Sequence, residues 1–297
     1  MKNIFLSIAI STVFLTVSCS SESDDFIETD PQLPELYDLN YNLHSSLNQY
    51  YKDSIKSIIG RLEKIMTMKP YIEISTNKQV HGASVYSWKK GVTKPYESLI
   101  GDTDQCICGY INNNLVMSLQ MTEDNLNGDG KFKYALLAHE FFHLYQHYNS
   151  KGLDLSHFWL IEGQAATIES LFVKENYFDS NYLKNFLNKD IILFDNAIKK
   201  VSDYEGYGEK ENGDITVFMI LSLSKILQTE GHSEEKAFKM IFVDFWKSSP
   251  QNSNWKTKFK EIFSLDVEEF YQKLNNYKDN PESVMPSSNL TIKKIFN

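Results

Sequence analysis

Three cysteines in 297 residues leave little room for covalent cross-links. Two of them, Cys106 and Cys108, sit in Gln105-Cys106-Ile107-Cys108-Gly109. Residues two apart in a strand face the same way, at a geometry strained for a disulfide. No second Cys pair completes a soft-metal site, so the two read as small, partly buried residues. Basic charge is also short: 30 Lys and Arg stand against 39 Asp and Glu, a net charge of -9. Phosphate binding needs clustered Lys and Arg, so nucleic acid is not an expected partner. The mild acidity reads as solubility. Beyond residue 17 no apolar run is long enough to span a membrane. Internal repeats and long low-complexity tracts are lacking too. What is present is ordinary: 42% hydrophobic and 23% charged residues, enough for one compact domain of roughly 250 residues built as two lobes.

The first residues read as an address rather than as fold. Lys2 precedes a mostly apolar run of 14 residues, Ile4 to Val17. That is too short for a membrane span and suits the core of a signal peptide. The run ends at Thr16-Val17-Ser18-Cys19, which resembles a bacterial lipoprotein box, with Leu15 one place earlier than usual. The resemblance implies cleavage before Cys19 and lipid on its thiol, hence anchoring to a membrane. Ser20-Ser21-Glu22-Ser23-Asp24-Asp25 follows and resembles the acidic export signal of surface lipoproteins in some Gram-negative bacteria. Residues 1–18 are thus expected to be a lipoprotein signal peptide and 19–35 a tether closed by Pro31 and Pro34. The protein is expected in the cell envelope or at the cell surface, as an outer-membrane lipoprotein. A plain secretory signal is the alternative.

The folded domain is expected over 36–278. Leu43, Leu47, Tyr50, Tyr51, Ile55, Ile58, Ile59, Leu62 and Ile65 recur at three and four, predicting a helix that Pro70 ends. The period then changes. Tyr71–Ser75, Val80–Trp88, Cys106–Ile111 and Leu115–Met121 alternate as strands do, with a turn at Asn112-Asn113-Asn114. A small, mostly antiparallel sheet is therefore expected, with Leu115–Met121 as its edge strand, free to pair with an extended peptide. Helices follow: about Lys131–His147, one from Phe158 past Leu171, then Tyr182–Val201, Ile215–Leu227, Glu234–Phe245, Trp255–Phe263 and Val267–Leu274. The tail 279–297, with Pro281, Pro286 and Ser287-Ser288, is expected to be loosely held.

The chemistry concentrates in residues 134–169. His139-Glu140-Phe141-Phe142-His143 is an H-E-x-x-H box. Residues four apart share a helix face, so both imidazoles can reach one ion. Glu140 lies beside a ligand but off the ligand axis, where it can take a proton from a metal-activated water. His147 continues the same face but sits a further turn away, out of reach of that ion. A metzincin would carry Gly and a third His three and six places after the second His. Here those places hold Gln146 and Asn149, which rules that pattern out.

Eighteen residues separate His143 from Glu162, in Trp159-Leu160-Ile161-Glu162-Gly163-Gln164-Ala165. Box and segment together resemble the gluzincin zinc peptidases, which pair H-E-x-x-H with a downstream W-x-x-E-G-x-A. The spacing is that of their aminopeptidase branch. The resemblance implies an α+β, zincin-like fold, with the sheet-bearing lobe before the active-site helix and a helical lobe after it. It implies Zn²⁺ held by His139, His143 and Glu162, with Glu140 as general base. Gly163 and Ala165 are small, as close packing of the two helices would need. Glu169, two turns after Glu162, could hold a ligand His from behind or be a solvated helix carboxylate. An oxyanion donor is expected from Tyr207 or Tyr204.

The G-x-M-E-N segment with which aminopeptidases of the group hold a substrate N-terminus is lacking. That departure from the family's pattern points to an endopeptidase, or a peptidase of narrow specificity, rather than to an aminopeptidase. The expected partners are a protein or peptide substrate and the membrane that holds Cys19. A different class remains open: a non-catalytic surface binding lipoprotein on the same scaffold, its zinc structural or relic.

Overall fold

The computed structural model describes residues 39–297 apart from 69–70, 74–77, 81–82, 101–106, 112–113, 123–130, 151, 153–154, 178, 180, 198–202 and 206–215. The expected signal peptide and tether, with Cys19, lie outside the described residues, as do Cys106 and Tyr207. No described helix is long and apolar enough to cross a membrane.

The chain is α+β. Strand β1 (Asn40–Leu43) leads into α1 (Gln49–Ile65). Asn48 starts that helix by accepting the Tyr51 N–H at 3.0 Å. Its stripe Ile55, Ile58, Ile59 and Leu62 is buried. Strands β2 (Tyr71–Glu73) and β3 (Lys78–Val80) form a separate antiparallel pair. Strand β4 (Ala83–Lys89), a short helix α2 (Glu97–Ile100), β5 (Ile107–Ile111) and β6 (Asn114–Met121) follow.

The main sheet has the order β1-β4-β6-β5. It corrects the antiparallel expectation: β1 pairs with β4 and β4 with β6 in parallel, and only β5 and β6 run antiparallel. A connection that carries a helix, as α1 does between β1 and β4, can return the chain in its original direction. Two residues between β5 and β6 can only reverse it.

The topology also moves the sheet edge. Leu115–Met121, expected at the edge, belongs to β6, which is flanked on both sides; β1 and β5 are the edge strands. Leu115, Met117, Leu119 and Met121 pack into the main core, while Val116 joins Trp88 and Ile100 on the opposite face. A strand apolar on both faces is an interior strand.

Behind the sheet lie α3 (Lys131–Ser150) and α4 (Phe158–Tyr177). Buried residues occupy most sides of both: Leu137, Ala138, Phe141, Phe142 and Leu144 in one, Trp159, Leu160, Ala165, Ile168 and Leu171 in the other. Such helices are core elements rather than a surface layer. Helix α3 packs on β5, β6 and α4, so the sheet and the second lobe meet along it.

The second lobe is helical. Helix α5 (Tyr182–Ala197) precedes α6 (Val217–Thr229), whose Phe218 N–H donates to the buried Asp190 Oδ2 at 2.6 Å. Helix α7 (Glu234–Lys239) widens into a π-helical stretch, Met240–Asp244, and closes as α8 (Phe245–Lys247). Helices α9 (Trp255–Phe263) and α10 (Val267–Leu274) bring Phe259, Phe270 and Tyr271 around Trp159.

The tail is not loosely held. Val284, Leu290, Ile292 and Ile295 are buried, the last two on α11 (Ile292–Phe296). Glu175 Oε1 accepts the Ile292 N–H at 2.6 Å, and Lys174 donates to the Leu290 carbonyl at 3.3 Å. Buried apolar residues, most of them after Pro286, and these two hydrogen bonds hold the tail, which its Pro and Ser content hides in the sequence.

Candidate metal centre

His139 and His143 lie one turn apart on α3, their rings 4.8 Å apart and edge-to-face. Glu162 comes from the start of α4, which packs along α3. Its Oε2 is 3.1 Å from His139 Nε2 and 3.3 Å from His143 Nε2. One donor atom from each residue falls within 4.8 Å of the other two. The three residues therefore form a candidate metal-binding group.

The far side of each imidazole is tied. His139 Nδ1 lies 2.9 Å from Glu169 Oε2, and the other oxygen of that carboxylate accepts the Tyr182 hydroxyl at 2.6 Å. His143 Nδ1 lies 2.7 Å from Gln146 Oε1. Gln146 is fully buried, and its Nε2 donates to the Ile161 carbonyl at 3.1 Å. Both Nδ1 atoms face acceptors, so each carries its proton there and leaves a lone pair on Nε2. In that tautomer two Nε2 lone pairs and a carboxylate oxygen face one another, and only a cation, a proton or a metal ion, can stand between them. That arrangement calls for a cation, and a borderline divalent ion such as zinc fits a His₂Glu set.

The electrostatics agree. Burial alone pulls the His139 imidazole down. Its hydrogen bonds to Glu162 and Glu169, with the charges of Glu169 and Glu140, outweigh burial and hold its pKa well above the usual histidine range. Burial pushes Glu162 up, but His139 and His143 together hold it far below the usual carboxylate range. Without metal, a proton takes the cation's place in the site.

Glu140 stands apart from the donor group and is buried. Cys108 on β5 meets it: Sγ lies 3.1 Å from the Glu140 carbonyl oxygen and 3.5 Å from its Oε2. Cys108 is intermediate in exposure, as expected, but it packs on the candidate base. His147 belongs to another contact. Its ring lies against Gly109 of β5. Burial and the nearby His143 lower its pKa to about 4, against a hydrogen bond with the Cys108 backbone.

Gly163 has a neighbour other than the one its smallness suggested. A Cβ there would lie 2.6 Å from the Thr216 carbonyl oxygen and 3.0 Å from Ile220 Cγ1. The close approach is to the start of α6, not to α3. Tyr204 is buried and stacks on Tyr271, ring centroids 4.7 Å apart.

Three site residues escaped the sequence reading in their present roles. Gln146 was legible in principle, since a residue three after a ligand shares its helix face. Tyr182 reaches Glu169 across the turn between α4 and α5, which no local pattern announces. Cys108 meets Glu140 only through the packing of β5 on α3. No protein-family model, no curated protein and no solved structure matches the chain.

Proposed function

We propose that this chain is a zinc-dependent peptidase of gluzincin type, with a zincin-like fold, anchored outside the cytoplasm through lipid on Cys19. The observation that carries the reading is the convergence of His139 Nε2, His143 Nε2 and Glu162 Oε2, with both Nδ1 atoms tied behind. Three protein donors leave coordination positions for water and substrate, as a catalytic site requires.

His139, His143 and Glu162 would hold the zinc. Bound there, the ion would lower the pKa of a water toward about 7 and polarise a peptide carbonyl. Glu140 takes a proton from the attacking water and passes it to the leaving amine. The C–N bond breaks, the acyl carbon gains the water's oxygen, and the amine leaves with the proton. Burial of Glu140 beside Cys108 keeps bulk water from competing for that proton.

Substrate would lie along β5. It is one of the sheet's two edge strands among the described strands, β1 being the other, and α3 packs against it. An extended peptide can add there as a further strand, main chain to main chain, which brings its carbonyls past Glu140. The test is hydrolysis of a peptide mixture by the wild type and by Glu140→Gln, with cleavage products mapped. Zinc-dependent products lost in the variant are expected. Zinc uptake with no cleavage of any peptide would leave a binding protein instead.

A further inference from the structure

Gln146 bridges the two halves of the metal centre. On one side its Oε1 takes the His143 Nδ1 proton at 2.7 Å. On the other its Nε2 donates to the carbonyl of Ile161, the residue before Glu162, at 3.1 Å. The two contacts fix the amide's orientation. A primary amide has one acceptor atom and one donor atom. Since the Ile161 carbonyl can only accept, the NH₂ must face it, and the oxygen is left for His143. His143 then has no choice of tautomer: Nδ1 carries the proton and Nε2 presents its lone pair toward Glu162. Gln146 is fully buried, so water cannot substitute for either partner.

We infer that Gln146 is a positioning residue of the metal centre: it commits His143 to bind through Nε2 and ties that ligand to the backbone that carries Glu162. The inference rests on reading His139, His143 and Glu162 as a metal site. The two ligand histidines are then held unlike each other. His139 leans on a carboxylate, Glu169, whereas His143 leans on a neutral amide. The amide adds no negative charge to a pocket that already holds Glu140, Glu162 and Glu169. It also reaches a backbone carbonyl, which a carboxylate in its place would repel.

The experiment separates the two contacts. Gln146→Met removes both. Gln146→Glu keeps an oxygen for the His143 Nδ1 proton but loses the donor to Ile161. Zinc affinity is measured on the full-length protein by chelator competition, and the visible spectrum is recorded with cobalt in place of zinc. Melting of the metal-free proteins is followed in parallel. Gln146→Met is expected to weaken zinc binding about 10- to 100-fold and to alter the cobalt spectrum. Gln146→Glu is expected to bind zinc within a few fold of wild type or tighter, with the wild-type spectrum. Both should lower the metal-free melting temperature, since both lose the Ile161 tie. If Gln146→Met fails to fold, Gln146→Leu removes the same groups with a shorter side chain. Zinc binding unchanged in Gln146→Met or Gln146→Leu would overturn the inference, as would equal losses in the Met and Glu variants. A wild type that takes up neither zinc nor cobalt would overturn the metal centre and the inference together.

Discussion

The Tyr182 hydroxyl donates to Glu169 Oε1 at 2.6 Å while Glu169 Oε2 holds His139 Nδ1 at 2.9 Å. One carboxylate thus links α5 to α3. Glu169→Gln is expected to weaken zinc binding about 10- to 100-fold, the usual effect of losing such a partner. Tyr182→Phe leaves the carboxylate in place as the partner of His139 and only loosens it, so a smaller loss than that of Glu169→Gln is expected, several fold. Chelator competition ranks the two; a larger loss in Tyr182→Phe than in Glu169→Gln would contradict the linkage.

Glu140→Gln removes the proton acceptor but none of the three donor residues. It should retain about one zinc per chain, as a three-ligand site would, while hydrolysis falls by roughly 10²–10⁴-fold. Metal analysis beside a peptide cleavage assay checks both halves. Full activity in the variant would sink the proposed mechanism.

Gly163→Ala places a Cβ 2.6 Å from the Thr216 carbonyl oxygen, and backbone on both sides must shift to admit it. A loss of about 1–3 kcal/mol is expected, as for other overpacked interiors, read as a lower midpoint in denaturant. An unchanged midpoint would mean that α4 and α6 separate without penalty.

His147 couples stability to pH. The folded protein keeps its imidazole neutral down to about pH 4, because burial and His143 oppose the charge. The unfolded chain takes up the proton near the ordinary histidine value of about 6.5. Between those values the unfolded state binds more protons, so stability falls as pH falls and is complete above the window. The largest loss is about 3 kcal/mol. Chelator-treated wild type, compared with His147→Gln from pH 7 to 4, should show this difference and the variant should lack it.

Cys19→Ala should release the protein from membranes, since an acyl chain contributes about 0.8 kcal/mol per buried CH₂ and the substitution removes its attachment point. Fractionation of cells that express wild type and variant reads the outcome. Equal membrane recovery of both would remove the anchor from the proposal.

The amino-acid order alone determines those parts of the site that depend on one helix. His139 and His143 share a face because four residues make about one turn, and Glu162 and Glu169 share one because seven make about two. Apolar spacing at three and four likewise marks α1, and apolar runs mark α3, α4 and α6, since both signals are local. What only the tertiary structure decides are relations between segments far apart in the chain. Alternation marks β5 and β6 as strands without saying which is the edge; the parallel pairing of β4 with β6 places β6 inside and puts β5 at an edge among the described strands. The last residues read as loose until Ile292 and Ile295 are seen in the core. Gln146 in the sequence only takes the place of a metzincin glycine; the approach of Ile161 on α4 makes it a clamp. Hydrogen-bond partners such as these depend on which helices meet, and the packing of the whole core sets that, not the residues on either side.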